Sequence, residues 1–196
     1  DELHRLGIAQ RTLVIFTSDN GPHSESRHDL KRFNPSGPYT GSKRSLTDGG
    51  IRVPCIAWWP GTVAPGRDSA HTGYFGDWMA TAAELAGAPV PPGCDSISFV
   101  PTLRATGHQP AHEFLYWEFH ERGFHQATLW QGRWKGIRKG PPGSPLALYD
   151  QQADVAETNN VAARYPEIAV RLAEYLNTAR SESVDWVPAW QQKKAQ

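Results

Sequence analysis

The sequence predicts an α/β chain in two parts: a remnant of a mostly parallel sheet, then a small antiparallel sheet with a packed C-terminal helix. Three observations predict it. Thr12–Thr17 is an unbroken, β-branched apolar run, the pattern of a strand buried on both faces. Beyond residue 105 the chain breaks into short aromatic-rich segments separated by Gly and Pro, as antiparallel strands do. Residues 166–180 then carry the clearest helical stripe in the chain. With 196 residues, 39% of them hydrophobic, the chain can form one domain with a real core or a large piece of a bigger one.

The elements follow in order. Asp1–Gln10 reads as the end of an amphipathic helix, with Leu3 and Leu6 on one face and Gly7 as its stop. The strand at Thr12–Thr17 is broken sharply by Ser18-Asp-Asn-Gly-Pro22. About 30 polar, Gly-rich residues follow, His23 to Ile51, a length that marks a functional or disordered loop. Val53–Trp59 is a second strand closed by Pro60-Gly61. Phe75, Met79, Ala82, Ala83 and Ala86 recur at helical spacing, and Gly87 ends that helix. Ile97–Leu103 is a short helical turn around Pro101. A composition shift at Thr106–Pro110 divides residues 1–105 from a subdomain at 106–196. Phe114–Phe119, Gln126–Trp130, Trp134–Arg138 and Leu146–Tyr149 are its four strands. Ile168, Leu172, Tyr175, Leu176 and Ala179 form the stripe that covers one face of that sheet, with Pro166 at a first helical position. The tail from Val184 holds Trp186 and Trp190 and is expected to wrap back on the body or dock elsewhere.

Composition excludes several classes. Lys+Arg and Asp+Glu are both 20, so no general basic field exists to hold nucleic acid or an anionic membrane. No apolar run approaches the roughly 20 residues of a membrane span. Two cysteines, Cys55 and Cys94, make no disulfide framework and are expected as buried thiols.

Few residues have the makings of chemistry. Asp19 and Asn20 directly follow the first strand, where ligands of open α/β sheets bind. A carboxylate beside an amide oxygen suits a hard cation, and equally suits an ordinary Asx turn. Lys43 sits among small residues, free to reach an anion or simply solvated. Its spacing from Gly37 is wrong for a phosphate-binding GxxxxGK[ST] loop. There is no HExxH and no GxSxG. Glu118 and Glu121 flank His120, an arrangement open to acid–base work or to plain surface charge.

Taken in order, these pieces resemble one family. Thr17-Ser-Asp-Asn-Gly-Pro22 resembles the second metal-binding motif of the sulfatases of the alkaline phosphatase superfamily. Gly37-Pro-Tyr-Thr-Gly-Ser-Lys43 with Asp48-Gly-Gly-Ile-Arg-Val-Pro54 resembles their lysine loop and next strand. Leu85-Ala-Gly87, Ile97–Leu103, Gln131-Gly-Arg-Trp-Lys135, Leu148-Tyr-Asp150 and Glu157-Thr-Asn-Asn160 complete the series over nearly the whole chain. The resemblance implies an alkaline-phosphatase-like sheet, with Asp19 and Asn20 as ligands of an active-site Ca²⁺ and Lys43 as the cation that contacts the sulfate. It places His23, Glu25 and Arg44 beside the sugar, with His120 and Glu121 helping to select it. The implied substrate is a sulfated carbohydrate or an aryl sulfate, with no nucleic acid and no membrane span.

The departures are equally specific. The family's nucleophile is a formylglycine made in a C/S-x-P-S/A-R motif, whereas Cys55 precedes Ile-Ala-Trp and Cys94 precedes Asp-Ser-Ile. The aspartate pair that completes the metal site, and the further lysine and histidine, have no counterpart in these residues, and Asp48 stands where the family has Glu. The expectation is therefore a C-terminal part of a sulfatase, inactive alone and completed by a missing N-terminal part of the same protein. A phosphate or phosphonate ester hydrolase of the same superfamily, and a non-catalytic carbohydrate-binding relative, are the alternatives.

Overall fold

A computed structural model describes residues 1–121, 123–187 and 191. Its elements run α1 Glu2–Arg5, β1 Val14–Thr17, α2 Leu30–Phe33, α3 Asp48–Ile51, β2 Cys55–Trp58, α4 Asp77–Ala86, α5 Val100–Arg104, β3 Phe114–Phe119, β4 His125–Trp130, β5 Trp134–Lys139, β6 Leu146–Asp150 and α6 Pro166–Thr178. Among the described residues no helix is long and apolar enough to cross a membrane. The chain divides into two compact units, each discontinuous in sequence: Asp1–Ser18 with Pro54–His112, and Asp19–Val53 with the chain from Glu113.

In the first unit β1 pairs with β2, and this corrects the sequence reading. The ladder is antiparallel, Val14 opposite Trp58 and Thr17 opposite Cys55. Phe16 is 63% exposed and Ile56 59%. An apolar run on both faces is the pattern of a sandwiched parallel strand, but among the described residues β1 has a single antiparallel neighbour, and Phe16 and Ile56 stay largely exposed. Cys55 and Cys94 are likewise exposed, not buried. The helix read at Phe75–Ala86 starts two residues later, at Asp77. The reason is polar: the buried Asp77 carboxylate accepts from the backbone N–H of Tyr74 (3.1 Å) and of Ile97 (2.9 Å) and meets His112 Nε2 at 2.8 Å. Those bonds fix the start of α4. Gly87, at φ 65°, caps its end as expected.

The second unit holds the sheet β3-β4-β5-β6, antiparallel throughout. All four strands fall within a residue of their sequence positions. Period-2 alternation divides its side chains between two faces. Trp134 and Leu148 pack with Leu172 of α6, and Phe114 stacks on Tyr175 at 4.0 Å. A Cβ on Gly136 would press on Leu172, so the strand meets the helix closely there. Arg138 is buried on this side too, donating to Gln126 and to Asn177 Oδ1 (2.8 Å). Lys135 and Ile137 take the alternate positions of β5 and are buried as well. In the tail, Trp186 packs edge-on against His120, with ring centres 4.3 Å apart, while Trp190 lies outside the described residues.

Candidate active site

β1 ends at Thr17, and Asp19 opens the second unit. The turn that follows is locked to the lysine loop by backbone hydrogen bonds. Gly21 N–H donates to the Gly50 carbonyl and Lys43 N–H donates to the Pro22 carbonyl, each at 2.8 Å. Gly49 N–H donates to the Thr40 carbonyl, also at 2.8 Å. The approach is so close that a Cβ on Gly21 would overlap the Gly49 carbonyl, and one on Gly49 would overlap the carbonyls of Thr40 and Gly41. Glycine is required here for space. The interlock brings the oxygen-bearing Asp19-Asn20 turn and the Lys43 loop into one cluster.

Asn20 Nδ2 donates to the Gly21 carbonyl at 2.8 Å. The Asp19 carboxylate and the Asn20 amide oxygen are a hard-oxygen pair whose chemistry fits a divalent cation, though calcium takes about six to eight oxygens. Among the described residues, no group of three or more His, Cys, Asp and Glu side chains is placed to hold a metal ion.

Around Lys43 the structure gathers most of the polar residues read from the sequence. Glu25 Oε2 lies 3.6 Å from Lys43 Nζ and 3.8 Å from His23 Nδ1, and Glu25 Oε1 accepts from Arg44 Nη1 at 2.6 Å. Glu121 Oε2 accepts from Arg44 Nε at 2.6 Å. His23 Nδ1 accepts from the Glu25 backbone N–H at 3.1 Å, which in the neutral imidazole puts the proton on Nε2. Arg44, then Lys43, hold the Glu25 carboxyl below its usual range, and the two glutamates raise the Arg44 guanidinium. Arg44 adopts φ 77°, a left-handed conformation uncommon outside glycine. His120 turns away from this set. Its Nε2 lies 3.2 Å from Glu118 Oε1, and its ring packs with those of Phe124 and Trp186. Glu118 itself accepts from Tyr116 Oη at 2.6 Å.

A second ion cluster escaped sequence reasoning. Lys135 Nζ contacts Asp48 Oδ1 and sits 2.7 Å from Glu157 Oε1, and the Asp48 N–H donates to Glu157 Oε2 at 2.6 Å. Lys135 is 1% exposed. Burial, the largest influence, pushes the Glu157 carboxyl up against the pull of Lys135. The cluster ties α3, at the end of the lysine loop, to the sheet. The signal available was a lysine in the strand pattern of Trp134–Arg138, between inward-facing neighbours.

Residues 1–88 match the family model described as Sulfatase. The chain belongs to the sulfatase family. It is 35% identical to the steryl-sulfatase of Mus musculus over 73% of this chain and 24% of that protein. It is 29% identical to an N-acetylgalactosamine-6-O-sulfatase of Bacteroides thetaiotaomicron over 91% of this chain and 38% of that one. A structure solved in work on glycosaminoglycan metabolism by Bacteroides thetaiotaomicron superposes with a TM-score of 0.74 at 30% identity, over 90% of this chain and 40% of the other. A Pseudoalteromonas sulfatase, at 22% identity and TM-score 0.69, shares the fold over 90% of this chain and 38% of its own. The chain thus spans less than half the length of these relatives. Its fold is the mixed α/β fold of sulfatases, alkaline-phosphatase-like, with small antiparallel sheets and a C-terminal helix.

Proposed function

We propose that this chain supplies Asp19, Asn20 and Lys43 to the active site of a sulfuric ester hydrolase that acts on sulfated carbohydrate, as the C-terminal part of a longer polypeptide. The observation that carries this reading is the backbone interlock at Gly21, Pro22, Lys43 and Gly49, which sets an oxygen-donor pair and a cation in one loop cluster. In this reading residues 1–105 belong to the catalytic α/β domain and residues 106–196 form its small subdomain.

Hydrolysis of a sulfate ester builds negative charge on the sulfuryl and leaving oxygens. Lys43 places a positive charge on a braced loop, where it lowers the cost of that charge. Its contact with Glu25 is the one a bound sulfate competes for. Asp19 and Asn20 would hold Ca²⁺, which supplies Lewis-acid polarisation of a sulfuryl oxygen when bound. His23, Glu25, Arg44 and Glu121 line the sugar side. His120 acts one layer back, through the turn it shares with Glu121. The nucleophile comes from a formylglycine motif absent from these 196 residues.

Two assays test the reading. The purified chain is expected to release no product from a generic aryl sulfate, and turnover above background overturns the assignment of the nucleophile elsewhere. In a polypeptide that joins this chain to a formylglycine-bearing segment, Lys43→Ala is expected to lower kcat/KM by about 100- to 1000-fold, the range seen for loss of one preorganised charge-stabilising group. A loss of under about threefold removes Lys43 from the chemistry.

A further inference from the structure

We infer that Glu25, Arg44 and Glu121 form a selectivity set that admits a singly sulfated sugar and turns away a second anionic group beside the sulfate. The inference rests on the reading of Lys43 as the sulfate contact. It starts from the way Arg44 is spent. The two glutamates take its Nη1 and Nε at 2.6 Å each, one from either side. A guanidinium that faced a second sulfate would offer its fork to the ligand. This one already commits two of its five N–H groups to the protein.

Charge bookkeeping gives the same answer. To these contacts Lys43 and Arg44 bring two positive charges, and Glu25 and Glu121 bring two negative ones. Once a sulfate takes Lys43, what remains beside it is a guanidinium flanked by two carboxylates. A second sulfate or a uronate carboxylate placed there meets like charge. A hydroxyl or an amide meets the reverse, because the carboxylates keep lone pairs and the guanidinium has five N–H donors, of which these contacts use two. Rejection by a built-in repulsive element is a general route to specificity.

Placement supports a role toward ligand. The Arg44, Glu25 and Glu121 side chains are 41%, 44% and 45% exposed, open enough to meet a solute. Arg44 nevertheless holds a left-handed backbone, φ 77°, a conformation that costs an L-residue energy and concentrates at functional sites. Glu121 comes from the β3–β4 turn, and the packing of His120 on Phe124 and Trp186 holds that turn from its other side.

The test is a titration of the 196-residue chain with methyl galactoside 6-sulfate and with the corresponding 2,6-disulfate, followed by amide chemical shifts at residues 41–45 and 121. The monosulfate is expected to bind about tenfold tighter, against the order that simple charge attraction predicts. Glu121→Gln and Glu25→Gln should each move that ratio toward the disulfate by about three- to tenfold, with thermal melts showing that both variants fold. A disulfate bound as tightly as the monosulfate, with a ratio that neither variant moves, overturns the inference while leaving the sulfate site standing, provided Lys43→Ala weakens both ligands. Binding that ignores Lys43→Ala, or no binding at all, overturns the functional reading and this inference with it.

Discussion

Glu25, Arg44 and Glu121 make a carboxylate–cation–carboxylate set, and so do Asp48, Lys135 and Glu157. The Arg44 side chain is 41% exposed and that of Lys135 is 1% exposed. Each set contains one residue held at positive φ, Arg44 at 77° and Glu157 at 53°. The chemistry is nearly the same, and the solvent decides what it does. At the surface, water screens the pair energies and little stability depends on them. In the interior the charges were desolvated at a cost that only their mutual contact offsets, so the loss of one partner strands the others. The exposed set is therefore available to a ligand, and the buried set braces the loop that presents Lys43.

The comparison breaks first, and hardest, at Lys135. Lys135→Met should cost about 3–5 kcal/mol in urea unfolding, because Glu157 then loses its buried cation and Asp48 keeps only the exposed Arg52 guanidinium, 3.5 Å from its Oδ2. The pH dependence checks the cause. Burial raises the Glu157 carboxyl, so folding strengthens its hold on a proton. A carboxyl raised on folding favours the native state below its unfolded value, near about 4.3, and that contribution is lost as pH rises through the folded value. Removal of Lys135 raises Glu157 further. The deficit of Lys135→Met should thus narrow as pH is lowered from about 7.5 to about 5; a deficit that widens instead excludes Glu157 as its source.

A smaller effect is expected at the interlock between the sets. Gly49→Ala forces a methyl group into the Thr40 and Gly41 carbonyls, and its cost should reach about 2 kcal/mol or more. Equal melting midpoints for variant and parent would show that the loop yields. The smallest effect belongs to the exposed set. Arg44→Ala should leave the urea midpoint unchanged within error at neutral pH while altering sugar affinity. The Glu25 carboxyl is lowered by Arg44, so what little stability the pair gives is present above about pH 4.3 and lost as pH falls through the folded value. A Lys135-sized loss in Arg44→Ala would erase the distinction between the two sets.

Local pattern made much of this readable. The four strands from Phe114 to Asp150 and α6 follow from alternation, Gly and Pro punctuation and one helical stripe, signals that adjacent residues contain within themselves. Asp19, Asn20 and Lys43 stood out because each lies in a short motif of fixed spacing. The Lys135 cluster did not, since Lys135 and Asp48 lie 87 positions apart and Asp48 and Glu157 109 apart, and no local period links them. The pairing of β1 was misread for a related reason: an apolar run states that a strand can be covered on both faces, not which strand lies beside it. His120 and Glu121 are neighbours in sequence yet face different surroundings, which only the β3–β4 turn decides.

The β1–β2 ribbon has a practical consequence. Among the described residues, Val14, Phe16, Ile56 and Trp58 are all exposed on a two-stranded ladder whose outer edges pair with no further strand. Apolar strands with open edges stick to one another. The chain should be colloidally fragile, its light scattering climbing with protein concentration and falling when a mild detergent coats that ribbon, whereas the helix-covered sheet of the other unit stays indifferent to both.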